Sequence, residues 1–194
     1  MKLYNLYSNL EILFIGFGLT SLLILILLLF KETKAFSLKF HYTSTYIIKY
    51  IGLVYLLLYV FSAVDFLSTQ GHILHTERAQ GPYAWAYWLM ILRPLVLFLL
   101  TQLFCIKKIR KIRWYSITLS LVILLTATIS GQNLEKYVIF VTSLHRDYSS
   151  YNSNIDNTLI LFIVTIIYGI IKSIIFFSSC VFMTWVFLRK KESK

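Results

Sequence analysis

Five long apolar segments, separated by short polar or basic stretches, dominate the pattern of this chain. They cover residues 11–30, 47–67, 84–106, 114–145 and 158–188. The fourth segment is apolar to residue 129, and we predict that its helix extends to residue 145. About 20 apolar residues match the thickness of a bilayer core. Backbone groups cannot stay unpaired in hydrocarbon, so each segment predicts a helix. We therefore predict an all-α polytopic membrane protein with five transmembrane helices, a four-helix bundle plus one helix, in a single domain over residues 1–194.

Composition agrees with a membrane location. Hydrophobic residues make up 58% of the chain and charged residues 14%, whereas a soluble domain carries roughly 25% charged residues. The basic residues then predict the orientation, because they cluster in alternate loops, at Lys31, Lys34 and Lys39, at 107–113 (KKIRKIR) and after residue 188. The positive-inside rule places the amino terminus outside and the carboxy terminus in the cytoplasm. These charges flank spans and suit anionic lipid headgroups, which argues against a nucleic-acid role.

Ionisable residues within the predicted spans are the candidates for chemistry, since charge in lipid is costly. Asp65, Arg93 and Glu135 fall in the outer half of three different helices. We expect Arg93 to pair with Asp65 or Glu135, because an unpaired charge in low dielectric is unfavourable. One interpretation is a structural network that fixes helix packing. The other is a quinone pocket or proton relay, in which Asp65, Glu135 and His145 are candidate proton acceptors.

Other polar and aromatic residues each allow a structural and a functional interpretation. Lys172, near the middle of the fifth span, packs against protein or takes part in ion conduction. His72 and His75 form a solvated pair or two ligands of a metal, and we expect no metal site. Trp85 and Trp88 form an interfacial belt or stack on a quinone ring. Three charged or ionisable residues end the fourth span, namely His145, Arg146 and Asp147. They dock an extrinsic partner, or His145 contributes to proton transfer.

The order of three motifs resembles one protein family. The segment 76–94 (TERAQGPYAWAYWLMILRP), the basic KKIRKIR and the segment 133–148 (NLEKYVIFVTSLHRDY) resemble the NrfD-like, polysulfide reductase-type membrane subunits, and look closest to those of the bacterial alternative complex III. The resemblance covers mainly residues 58–151. Glu135-Lys136 stands where the family has a Glu-Arg pair, and Arg93-Pro94 is not a family feature.

The resemblance implies an integral subunit of a respiratory quinol-oxidising electron-transfer complex in the bacterial inner membrane. Trp85, Trp88 and Arg93 would contribute to binding quinol, with menaquinol or another quinone as the ligand. Haem and iron–sulfur clusters would belong to partner subunits, including other membrane subunits and an extrinsic subunit on the outer face. Family members usually carry a further helical bundle. The alternative is therefore a non-catalytic accessory subunit of a larger membrane complex.

Overall fold

The computed structural model describes residues 2–68, 79–80, 84–129 and 155–192. Regular structure in these ranges is helical throughout, which confirms the predicted all-α class. Helices of substantial length are α1 (Lys2–Leu27), α2 (Lys34–Ser68), α3 (Ala84–Gln102), α5 (Arg113–Thr128) and α6 (Ile155–Glu192). A 3-10 turn over Leu103–Cys105 and the short α4 (Lys107–Lys111) connect α3 to α5.

Among the described residues, four helices are long and apolar enough to cross a membrane. Their apolar stretches are Leu10–Leu27, Lys34–Asp65, Ala84–Cys105 and Ile163–Val186. α5 holds a shorter apolar stretch, Trp114–Thr128. The predicted helical extension of this segment to residue 145 lies outside the described residues.

α2 begins well before the apolar segment that predicts it, at Lys34 instead of residue 47. The polar run YTSTY in its first half is accommodated within the helix because its hydroxyl groups bond back to carbonyl oxygens of the preceding turn. Thr43 donates to Lys39 at 3.0 Å and Ser44 to Phe40 at 2.8 Å. Such local bonds satisfy a hydroxyl group without water, so hydropathy alone underestimates the length of this helix.

α1 lies at the centre of the bundle, with α2, α5 and α6 around it, and α3 packs on α2 and α5. Long helices that are consecutive along the chain alternate in direction. Tyr59 of α2 bonds to the Ile91 carbonyl of α3, while Gln102 near the other end of α3 bonds to the Lys49 carbonyl. We name the two ends of the bundle by their charged residues: Glu11 lies toward the glutamate end and Lys39 toward the lysine end.

Aromatic side chains fill the core around α1. The Phe17 ring meets the edges of Phe104 and Phe177, each at 5.6 Å between centroids. Gly16, Gly18 and Gly52 let helices approach closely, as small residues do in membrane bundles. A Cβ on Gly16 would collide with the Ser173 carbonyl of α6, and one on Gly52 would collide with the Thr101 side chain of α3.

Candidate functional site

A buried ion pair between Arg93 and Glu11 lies toward the glutamate end. Arg93 Nη1 donates to Glu11 Oε1 at 2.6 Å, and the two side chains expose only 5% and 17% of their surface. Each is the single charged residue of its apolar stretch, on α3 and α1 respectively. Isolated charges are costly in a low-dielectric interior, so the two are expected to pair across the bundle.

The carboxy-terminal turn of α5 accepts the other bonds of the Arg93 guanidinium. Nε donates to the Thr126 carbonyl at 3.0 Å, and Nη2 donates to the Ala127 carbonyl at 2.8 Å. The last carbonyls of a helix have no partner within that helix, and the helix dipole favours a cation near its carboxy terminus. Arg93 therefore caps α5 and neutralises Glu11 at the same time.

Tyr55 connects α2 to this cluster. Its hydroxyl donates to Glu11 Oε1 at 3.0 Å, the same oxygen that accepts the bond from Arg93. The residue is fully buried, and its ring packs edge-on against Phe14 at 5.0 Å between centroids. Glu11, Arg93, Tyr55 and the end of α5 form what we call the arginine cluster. It joins α1, α2, α3 and α5 through charged hydrogen bonds.

The arrangement is suited to holding helices together. All three nitrogens of the Arg93 guanidinium bond to oxygen atoms of the protein, and its one positive charge faces one carboxylate. Breaking such a pair leaves an uncompensated buried charge, which opposes separation of the helices. The cluster thus fixes the mutual position of four helices at one depth.

Glu11 was not among the residues singled out from the sequence, which named Asp65 or Glu135 as the partner of Arg93. Within the described residues, the bonds of Arg93 go to Glu11 and to α5, and none goes to Asp65. Asp65 is exposed near the end of α2. A signal existed, since Glu11 and Arg93 are the lone charges of two apolar stretches, but 82 positions separate them along the chain.

The two tryptophans predicted to contact quinol lie on the exposed surface of α3. Trp85 exposes 56% of its surface and Trp88 46%, whereas Arg93 is buried. Trp88 packs edge-on against Tyr87 at 6.2 Å between ring centroids. Exposed aromatic residues near the end of an apolar helix are typical of an interfacial belt. Several further candidates lie outside the described residues, namely His72, His75, Glu135, His145, Arg146 and Asp147.

Basic residues gather at the lysine end. Lys39 lies 5.4 Å from the ring centroid of Trp185, and the Arg110 guanidinium lies 5.7 Å from that of Tyr42. His41 Nε2 bonds to the Ser116 hydroxyl at 2.7 Å, which ties α2 to the start of α5. In the part of the chain that the structure describes, no group of three or more His, Cys, Asp or Glu residues is placed to hold a metal ion.

Lys172 is exposed on α6. The expected contact with protein is therefore not made by the described residues of this chain. The preceding residues of the same helix, 163–171, are exposed as well.

No protein family model matches this chain, and neither curated proteins nor solved structures give a match. The resemblance to NrfD-like subunits thus stays a prediction, based on the two motifs and the basic segment between them.

Proposed function

We propose that this chain is a non-catalytic, multi-pass subunit that stabilises a larger membrane assembly. The arginine cluster carries the proposal, because its buried charges bond to each other and to the backbone of α5. Charged groups inside membrane proteins mark either functional pathways or paired structural contacts. Here the geometry favours the structural role. The exposed residues 163–172 of α6 support the further idea that other polypeptides complete the bundle.

The proposed topology has five spans, with the glutamate end outside. Lys39, Lys107, Lys108 and Arg110 lie at or near the lysine end, where α2 and α4 begin. Such an excess of basic residues is typical of the cytoplasmic side. The proposed location is the bacterial inner membrane, as the resemblance implies.

A charge-free double variant tests the structural role. Glu11→Met with Arg93→Met removes both charges while keeping side chains of substantial volume. If the cluster only holds helices together, the double variant assembles with its partners in mild detergent far better than Arg93→Met alone, because no orphan charge remains. The readout is the amount of assembly recovered from membranes. A double variant that assembles no better than the single one contradicts the proposal.

A second candidate is a quinol-handling, NrfD-like subunit. It is favoured by the placement of the Glu11 carboxylate, which keeps 17% of its side chain exposed and bonds to the Tyr55 phenol. Quinol oxidation releases protons, for which carboxylates are suitable acceptors. In this reading Asp65, Glu135 and His145 contribute to proton transfer, and haem and iron–sulfur clusters belong to partner subunits.

Quinol turnover by the native assembly separates the two candidates. A quinol-handling site predicts bound quinone in the purified assembly and a loss of turnover in Glu11→Gln. A structural site predicts that turnover persists in the charge-free double variant, provided the assembly is recovered. Loss of turnover in an intact double-variant assembly would instead favour the quinol-handling candidate.

A further inference from the structure

Lys172 presents a positive charge on the exposed surface of α6. It belongs to the apolar stretch Ile163–Val186. Residues 163–171 precede it, roughly 13 Å of helix, and a longer apolar length follows. Lysine can extend toward a membrane surface only when it lies near a helix end. An exposed ammonium group at this position therefore needs a counter-charge.

This chain does not provide that counter-charge among the acidic side chains that the structure describes. Glu11 bonds to Arg93 on the other side of α1. Glu32 lies in the connection between α1 and α2, and Asp65 lies toward the opposite end of α2. The level of Lys172 is set by its neighbour Ser173, whose carbonyl faces Gly16 of α1.

The surface around Lys172 is shaped to receive another helix. Residues three or four positions apart share a helix face, so Tyr168, Gly169, Ile175 and Phe176 flank Lys172. Tyr168 exposes 65% of its surface, Ile175 60% and Phe176 47%. A Cβ on Gly169 would meet no atom within 4 Å. A glycine with open space above it allows the backbone of a second helix to come close.

We propose that this face of α6 binds a transmembrane helix of a different polypeptide, one that carries an aspartate or glutamate at the depth of Lys172. The interaction buries the ammonium group against a carboxylate, and the apolar side chains around the pair exclude water. Within the described residues, a second copy of this chain is a poorer partner, since its Glu11 is already bonded to Arg93. The inference rests on the proposed role as a subunit of a larger assembly, and it names the contact that such an assembly would use.

Site-specific photo-crosslinking identifies the partner in native membranes. A benzophenone amino acid replaces Ile175 in the tagged full-length chain, and a matched control carries it at Phe61, which is 62% exposed on α2. The expected result is a crosslink from position 175 to a membrane helix of another polypeptide, within about two helical turns of an acidic residue. Crosslinks to lipid alone, or to a second copy of this chain, overturn the proposal.

Charge variants then test the pair itself. Lys172→Met is expected to lower recovery of the crosslinked partner by about tenfold or more, whereas Lys172→Arg retains most of it. Reversal, with Lys172→Glu and the partner's acidic residue changed to lysine, is expected to restore recovery. Equal yield and monodispersity of the variant chains exclude a folding defect. Unchanged recovery with Lys172→Met overturns the proposal.

The two proposals fail in different ways. A wild-type chain that purifies without any other membrane polypeptide contradicts both the subunit role and the Lys172 contact. A wild-type assembly that withstands Lys172→Met contradicts only the contact at α6.

Discussion

Arg93 meets the requirements of a buried guanidinium with oxygen atoms from two helices, α1 and α5. Glu11 alone would be a buried carboxylate, and the end of α5 alone would have unpaired carbonyls. Each of these groups would be unfavourable by itself in low dielectric. Together they satisfy one another. At the residue scale, the stability of the bundle should therefore depend on keeping all the paired groups of the arginine cluster together more than on any one of its residues.

Removing one charge of the pair should cost more than removing both. Arg93→Met and Glu11→Met are each expected to lower the free energy of unfolding by about 3–5 kcal/mol, and the double variant by less than either single variant. Unfolding in mixed detergent micelles, followed by circular dichroism, measures the coupling. Lys108→Met, which removes an exposed charge, serves as the control. Additive losses would show that the two side chains do not interact.

The Tyr55 hydroxyl should contribute through its bond to Glu11. Tyr55→Phe keeps the ring and its contact with Phe14, so it removes mainly one hydrogen bond to a charged group, worth about 1.5–3 kcal/mol. Tyr50→Phe is the matched control, because its hydroxyl bonds to Tyr46 at an exposed position. The same unfolding measurement applies. Equal effects of the two substitutions would contradict the role given to Tyr55.

At the scale of the helix, the sequence predicts that a helix exists better than it predicts where the helix begins and ends or which helices it contacts. Runs of apolar residues identify α1, α3 and α6 because a bilayer core demands such lengths. The polar first half of α2 was not predicted, because a hydropathy pattern does not show that hydroxyl groups can be satisfied by hydrogen bonds within a helix. The contacts between helices were not predicted either, because close approach at Gly16 or Gly52 depends on residues distant in sequence.

The contact of α1 with α6 provides a test at this scale. Gly16→Ala adds a methyl group against the Ser173 carbonyl, a backbone atom that cannot move without its helix. We expect a loss of about 1–3 kcal/mol from overpacking. Gly169→Ala is the matched control, since it has open space and alanine favours a helix by up to about 1 kcal/mol. Unfolding of both purified variants gives the comparison. A neutral Gly16→Ala would contradict the close packing of these helices.

For the whole molecule, hydropathy and charge together predict the all-α membrane class. The packing of the helices determines which residues form the arginine cluster. The alternation of basic segments indicates an orientation because positive loops remain in the cytoplasm. The partner of Arg93 could not be predicted in the same way. Asp65 and Glu11 are both acidic and both occur near ends of predicted spans, and only the placement of α1 at the centre of the bundle brings Glu11 within 2.6 Å of Arg93. Pairing between distant helices is a property of the assembled bundle.

The orientation of the bundle can be measured with two single cysteines. In a background with Cys105→Ser and Cys180→Ser, Glu32→Cys reports on the connection after α1, and Gln80→Cys reports on the region before α3. Both positions are exposed, and α2 separates them. A membrane-impermeant maleimide should label Gln80→Cys in intact cells and Glu32→Cys only after permeabilisation, because basic residues keep the lysine end in the cytoplasm. Leu57→Cys, exposed within the apolar part of α2, should resist the reagent in both cases, since thiolates form poorly in lipid. The reverse labelling pattern would invert the topology and place the arginine cluster in the cytoplasmic half of the membrane, where an outer-face partner could not reach it.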